Sequence, residues 1–151
     1  MLTTTPEAIK PFEKQTGIKC SDVNIKLLGR LRASDIPKVI CQSELFIHCA
    51  IIDNSPNALC EAQLLGIPII ATNAGGIPQI VTDKEDGFLY PYAEPYALAF
   101  KIMELHNNED ELLRVSQNAY QTSHCRHNPV MIAQILREIY NQIITYSRQE
   151  E

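Results

Sequence analysis

The chain has 151 residues, of which 45% are hydrophobic and 21% are charged, and its net charge is −5. This composition predicts one globular domain with a hydrophobic core and excludes an intrinsically disordered chain. It also argues against a nucleic-acid partner, because Lys and Arg form no basic stripe that could replace phosphate counterions.

The sequence gives no sign of a membrane or export segment. Its longest apolar runs, Leu45–Ile47 and Ile67–Ala71, have the length of strands, so we expect no transmembrane helix. The first residues lack the basic and apolar regions of a secretory signal. The five cysteines include no C-x-x-C pair, which argues against a zinc ribbon, and their odd number predicts reduced thiols in a cytoplasmic protein.

The first part of the chain predicts a helix, a strand and a second helix. The first helix covers residues 6–16, and the apolar segment Val23–Leu28 predicts a strand that ends at Gly29. Ser34–Asp35 predicts the start of a helix over Ile36–Cys41, because Ser and Asp side chains can accept hydrogen bonds from the free N–H groups of a first turn.

Strands and helices alternate up to about residue 90. Three strands are predicted, at Leu45–Cys49, Ile67–Thr72 and Gly87–Tyr90. Between the first two, Ser55–Pro56 predicts the start of a helix and Gly66 its end.

From residue 95 onward the sequence is helical. Apolar residues at helical spacing predict helices at 95–107, 109–123 and 129–148. Strands separated by helices favour parallel pairing with helices on both faces. The predicted fold class is therefore α/β, with a Rossmann-like three-layer open parallel sheet at about 20–91 and a helical tail at 95–148.

Three loops leave the carboxyl ends of the predicted strands, where open parallel sheets bind their ligands. They are Gly29–Arg32, Asp53–Leu59 and Asn73–Pro78. In the second loop the amides of Asn57, Ala58 and Leu59 begin a helix, and we expect them to be unpaired within it. With the helix dipole, unpaired amides form an anion site.

Two acids and two glycines accompany this predicted anion site. Glu61, one turn inside the helix, has the acceptor oxygens for a ribose diol, and Asp53 has those for sugar hydroxyls. Gly75 and Gly76 lack a Cβ, which would let the backbone approach a ligand closely. Each of these residues also has a simpler interpretation. Glu61 would be an exposed helix glutamate, Asp53 an Asx-turn residue, and Gly75 and Gly76 a tight strand-to-helix turn.

The segment at residues 45–91 resembles the C-terminal, donor-binding domain of the GT-B glycosyltransferases of the retaining, group 1 (family 4) type. It reads LFIHCAIIDNSPNALCEAQLLGIPIIATNAGGIPQIVTDKEDGFLYP, and RHNPVMIAQILREIY follows near the end. The features of the family occur here in the same order: an acid, a helix start, a second acid, a G-x-P strand and a G-G-x-P turn. The resemblance covers nearly the whole chain.

The resemblance implies a nucleoside-diphosphate sugar as the donor, with no metal and no further cofactor. It places the nucleotide base near Gly29, Arg30 and Leu31, and the diphosphate on the predicted helix start. Asp53 and Glu61, with seven residues between them, match two family glutamates, near the transferred sugar and on the ribose respectively. They are the expected catalytic residues, although Asp53 is one methylene shorter than a glutamate.

The resemblance also implies parts that this sequence does not contain. The family has an N-terminal acceptor domain, and its C-terminal domain begins with a further strand and a basic phosphate-binding pair. We therefore expect residues 1–151 to form a single, incomplete nucleotide-sugar-binding domain without turnover. Its partner would be the acceptor domain of a longer bacterial hexosyltransferase of polysaccharide biosynthesis. That enzyme would act on a glycan or a lipid-linked acceptor and could associate peripherally with a membrane.

Two other functions stay open at this point. One is a stand-alone α/β interaction module that binds a partner through its tail helices and has no donor site. The other is an epimerase of the same architecture, against which the Asp53/Glu61 pair and the lack of an acid–base histidine argue.

Overall fold

The structure is a computed structural model and describes residues 6–147. The chain divides into two compact units, one that ends at Val39 and one that begins at Ile40. Within the described residues, no helix is both long enough and apolar enough to cross a membrane.

The described part of the first unit contains helices joined by turns and irregular segments. Its elements are α1 (Pro6–Thr16), a 3-10 helix (Cys20–Val23) and the start of α2 (Ile36–Ile40). Both α-helices were predicted. The carboxylate of Asp35, just before α2, accepts a hydrogen bond from Lys38 Nζ at 3.0 Å, and capping by Ser34 or Asp35 stays a prediction.

The prediction of a strand over Val23–Leu28 is wrong. Val23 ends the 3-10 helix, and Asn24 follows in the left-handed conformation with φ of 56°. The amide of Ile25 then donates to the carbonyl of Cys20 at 2.9 Å. These bonds close a turn at the point where the apolar segment begins, so its first residues cannot be extended.

The second unit carries the sheet and the larger helices. Its elements are β1 (Phe46–His48), α3 (Asn57–Leu64), β2 (Ile69–Thr72), a 3-10 helix (Ile77–Gln79), β3 (Phe88–Tyr90), α4 (Pro95–His106), α5 (Glu109–Arg126) and α6 (Pro129–Ser147). The three strands are parallel, in the order β1-β2-β3, which confirms the predicted pairing. In the register Phe46 lies opposite Ile69, and Ile70 opposite Phe88.

The core of the second unit lies on the central strand. All four residues of β2 are buried, as expected for a strand covered on both faces. Ile70 packs with Phe88 and Tyr90 of β3 and with Leu105 and Val115 from α4 and α5.

Glycine ends α3 as predicted. Gly66 has φ of +68°, and its amide donates to the carbonyl of Gln63 at 2.9 Å. The amide of Ile67 donates to the carbonyl of Ala62 at 3.0 Å. This pair of bonds is the Schellman motif, which closes the helix and directs the chain into β2.

The last helix differs from the others in its exposure. Every residue of α6 is exposed, including the apolar stripe predicted for this segment: Ile132, Ile135, Leu136, Ile139 and Ile143. The helix therefore forms without contributing to the core of the second unit.

The central strand should dominate the stability of the second unit. Ile70 is completely buried, so Ile70→Ala should lower the free energy of unfolding by about 2–5 kcal/mol. Ile143 is 55% exposed on α6, and Ile143→Ala should change it by less than roughly 0.5 kcal/mol. Urea denaturation followed by circular dichroism measures both, and equal effects would contradict this description of the core.

Candidate functional site

The candidate site lies at the carboxyl edge of β1 and β2. His48 ends β1 and Thr72 ends β2, and the two strands run parallel side by side. The hydroxyl of Thr72 donates to the carbonyl of Ala50 at 2.6 Å, which ties the end of β2 to the loop after β1. The second and third predicted loops therefore leave the same edge of the sheet, where open parallel sheets bind ligands.

The backbones of these two loops are in direct contact at Gly75 and Gly76. The amide of Gly76 donates to the carbonyl of Asp53 at 2.9 Å. A Cβ on Gly75 would lie 2.5 Å from the same carbonyl oxygen, and a Cβ on Gly76 would overlap the carbonyl of Asn54. The glycines are thus required by the contact between the loops, and their predicted contact with a ligand stays a prediction.

The side chain of Asp53 accepts one hydrogen bond and lies close to a histidine ring. Its Oδ1 accepts a hydrogen bond from the amide of Ser55 at 3.2 Å. This bond forms the Asx turn that the sequence also allows for Asp53. Its Oδ2 lies 3.5 Å from Nε2 of His48. The carboxylate remains 32% exposed, so it is oriented and still accessible to a ligand.

The start of α3 presents fewer unpaired amides than the sequence predicts. Pro56 precedes the helix in an extended conformation without a side-chain cap. Leu59 donates its amide to the carbonyl of Pro56 at 3.1 Å, so the prediction of an unpaired amide there is wrong. The first turn closes as a 3-10 turn, which uses this donor. Within residues 6–147, the amides of Asn57 and Ala58 have no acceptor.

Glu61 lies one turn further along α3, and its side chain is exposed. Among the residues that the structure describes, its carboxylate has neither an ion pair nor a hydrogen bond. Burial raises the pKa of the neighbouring Cys60 thiol, Arg126 opposes that shift, and the charges of Glu61 and Asp53 add to it. Both carboxylates therefore act electrostatically on one side chain of α3.

Arg126 is hydrogen-bonded to α3, a contact that the sequence did not predict. Its guanidinium donates to Oε1 of the buried Gln63 at 3.0 Å and to the carbonyl of Ile80 at 2.8 Å. Burial raises the pKa of Asp86, while the Thr82 amide and the charge of Arg126 lower it. A single arginine at the end of a helix carries no pattern that could have predicted this network.

The predicted base contacts lie in the other unit. Gly29 adopts a left-handed conformation with φ of +65°, Arg30 is exposed, and Leu31 is half-buried. Their role near a nucleotide base stays a prediction. In the described part of the chain, no three His, Cys, Asp or Glu side chains are grouped so that they could hold a metal ion.

Comparison with known proteins yields a family match and several relatives. A family model described as "Glycosyl transferases group 1" matches residues 10–122. The amylovoran biosynthesis glycosyltransferase AmsK of Erwinia amylovora is 25% identical over 60% of this chain and 24% of its own length. An Escherichia coli UDP-Gal:alpha-D-GlcNAc-diphosphoundecaprenol alpha-1,3-galactosyltransferase is 36% identical over 46% of the chain and 18% of its own length.

Solved structures are similar over most of this chain. Anabaena Alr3699/HepE in complex with UDP-glucose matches with a TM-score of 0.75 and 26% identity, over 90% of this chain and 37% of that one. The C-terminal domain of a group 1 glycosyl transferase (LpcC) from Francisella tularensis is similar in fold, with a TM-score of 0.66 and 20% identity over 82% of this chain and 65% of that one. The chain thus spans between 18% and 37% of the length of the two relatives and of the Anabaena structure, and 65% of the LpcC domain.

The contact between the loops can be tested at Gly76. Gly76→Ala should lower the free energy of unfolding by about 1–3 kcal/mol, because the new Cβ overlaps the carbonyl of Asn54. It should also move the amide NMR signals of residues 53–55. Gly66→Ala is the control for the position of the shifts: its Cβ meets Ser116 and Tyr120 only at 3.6 Å or more, but its φ of +68° strains an alanine, so it should also destabilise the chain while leaving the signals of residues 53–55 in place. Unchanged signals at 53–55 in Gly76→Ala would contradict the described contact.

Proposed function

We propose that this chain, which belongs to the group 1 glycosyl transferase family, is the donor-binding part of an enzyme that transfers a sugar from a nucleoside diphosphate. Its α/β fold with a parallel sheet and a C-terminal helix is that of GT-B glycosyltransferases, as the sequence predicts. The chain spans only part of its relatives, so the activity of the whole enzyme is part of the proposal.

One observation carries the proposal: an open helix start and an unpartnered carboxylate occur on the same short helix. The amides of Asn57 and Ala58 are unpaired, and Glu61 is exposed one turn further on. A diphosphate binds to the two amides with support from the helix dipole. The carboxylate of Glu61 accepts hydrogen bonds from the two ribose hydroxyls.

The transferred sugar lies at the neighbouring edge, beside Asp53 and the Gly75–Gly76 turn. Asp53 keeps part of its carboxylate exposed toward the loop edge. As the glycosidic bond breaks, negative charge develops on the diphosphate, and the fixed amides of α3 stabilise it. In this proposal the sugar is a hexose transferred with retention of configuration, and the acceptor is a glycan or a lipid-linked glycan. The N-terminal domain of the longer enzyme holds that acceptor.

UDP is the first nucleotide to test as a ligand of this chain. Relatives matched here were solved with UDP and with UDP-glucose, and another is a UDP-Gal-dependent enzyme by its description. At 25–36% identity these proteins support a uridine nucleotide as the first probe for this chain.

A second candidate function is a partner-binding module without a donor site. The observation that favours it is the complete exposure of α6 together with its apolar stripe. In such a module Glu61 binds no nucleotide, so the affinity of the chain for a nucleotide distinguishes the two functions.

The role of Glu61 can be tested by substitution. Glu61→Gln should weaken UDP binding about 10-fold, because hydrogen bonds to a charged acceptor contribute roughly 1.5–3 kcal/mol. Isothermal titration calorimetry measures the affinity. Glu138→Gln, on the exposed helix α6, is the matched control and should bind UDP as the unchanged chain does. Equal affinities for all three proteins would favour the partner-binding module.

We also expect the 151-residue chain to bind donor without transferring sugar. The chain spans 24% of the Erwinia relative and 37% of the Anabaena structure, and the proposed acceptor site lies outside it. Release of UDP from UDP-glucose, measured with and without added saccharide acceptors, should not exceed the rate in buffer. Transfer to any acceptor by this chain alone would contradict the assignment as a donor-binding part.

A further inference from the structure

The ring of His48 ends in a buried nitrogen without a hydrogen-bond partner. His48 is the last residue of β1, and its side chain is 16% exposed. Its Nε2 atom is buried and is unsatisfied among the described residues. Buried polar side-chain atoms are normally hydrogen-bonded, since leaving one unpaired costs free energy, so this atom calls for an explanation.

The atom that faces this nitrogen is Oδ2 of Asp53. The two atoms are 3.5 Å apart, slightly beyond hydrogen-bond length. The rest of Asp53 is already fixed: Oδ1 accepts from the Ser55 amide and the backbone carbonyl accepts from the Gly76 amide. Oδ2 is therefore the free acceptor at this position, and a shift of a few tenths of an ångström completes the bond.

We propose that His48 is a positioning residue for Asp53: its Nε2–H donates to Oδ2 and holds the carboxylate toward the donor sugar. This rests on the proposed function, in which Asp53 contacts that sugar. An ionised carboxylate has about four acceptor positions, so the bonds from Ser55 and His48 leave about two for sugar hydroxyls. An aspartate has less reach than a glutamate, and a fixed orientation compensates by keeping these positions in place before the sugar arrives.

The pair itself is tested first, without any ligand. Nitrogen-15 NMR of the histidine rings should find Nε2 of His48 protonated in the unchanged chain, and Asp53→Ala should shift that signal. The chain offers a matched pair in which both side chains are exposed: Nδ1 of His106 lies 3.9 Å from Oε2 of Glu44. Glu44→Ala should leave the His48 signal in place. An unprotonated Nε2 in the unchanged chain overturns the proposal.

The positioning role is tested by comparing UDP-glucose with UDP. His48→Phe keeps a ring in the strand and removes the donor, so UDP-glucose affinity should fall about 3- to 10-fold, as expected for one lost hydrogen bond. UDP affinity should stay the same, because UDP lacks the glucose that Asp53 contacts in this proposal. His48→Gln retains an N–H donor and should restore most of the loss. His106→Phe is the control and should change neither affinity.

The outcomes separate this proposal from the proposed function. If His48→Phe lowers both affinities equally, or if His48→Gln does not restore UDP-glucose binding, His48 only packs in the strand and the proposal is overturned. If the unchanged chain binds neither UDP nor UDP-glucose, the proposed function fails, and the ring spectra still decide whether His48 holds Asp53. If His48→Phe does not fold, the Gln variant and the ring spectra decide.

Discussion

The hydrogen bond from the Gly76 amide to the Asp53 carbonyl sets the geometry on which the candidate site depends. It joins the loop after β1 to the loop after β2, and a Cβ on either glycine of the turn would push the two loops apart. The first loop continues into α3, and the second continues into the 3-10 helix at Ile77–Gln79. A contact between two backbones therefore fixes the acid, the open helix start and the glycine turn at one edge of the sheet.

Further contacts in the second unit join the elements that leave this edge. Arg126 at the end of α5 reaches both α3, through Gln63, and the carbonyl of Ile80 after the 3-10 helix. One guanidinium thus joins the C-terminal ends of the two helices whose starts follow the loops. Asp53 and Glu61 differ in their contacts. Asp53 accepts a hydrogen bond from Ser55 and lies near His48, whereas Glu61 is exposed and can bind a ligand.

Sequence reasoning predicted what depends on local pattern and missed what depends on distant partners. The helices and the parallel strands followed from periodicity, glycine and proline, but Val23–Leu28 did not become a strand because Asn24 turns the chain there. The Leu59 amide was assigned to a ligand, yet the carbonyl of Pro56 takes it. Gly76 was predicted to lie beside a ligand, which stays a prediction, and its contact with the backbone of Asp53 and Asn54 could not be read from spacing. Arg126 had no local signal at all, since its partners lie 46 and 63 residues away.

The central claim is that a nucleotide binds at the start of α3, beside the glycine turn. An amide-resolved NMR titration of the chain with UDP, GDP and ADP tests it most directly, since each backbone N–H reports its own surroundings. The account predicts that one nucleotide shifts the signals of Asn57–Glu61 and Gly75–Gly76 together. No shift with any of the three up to millimolar concentration, or shifts confined to α6, would contradict it.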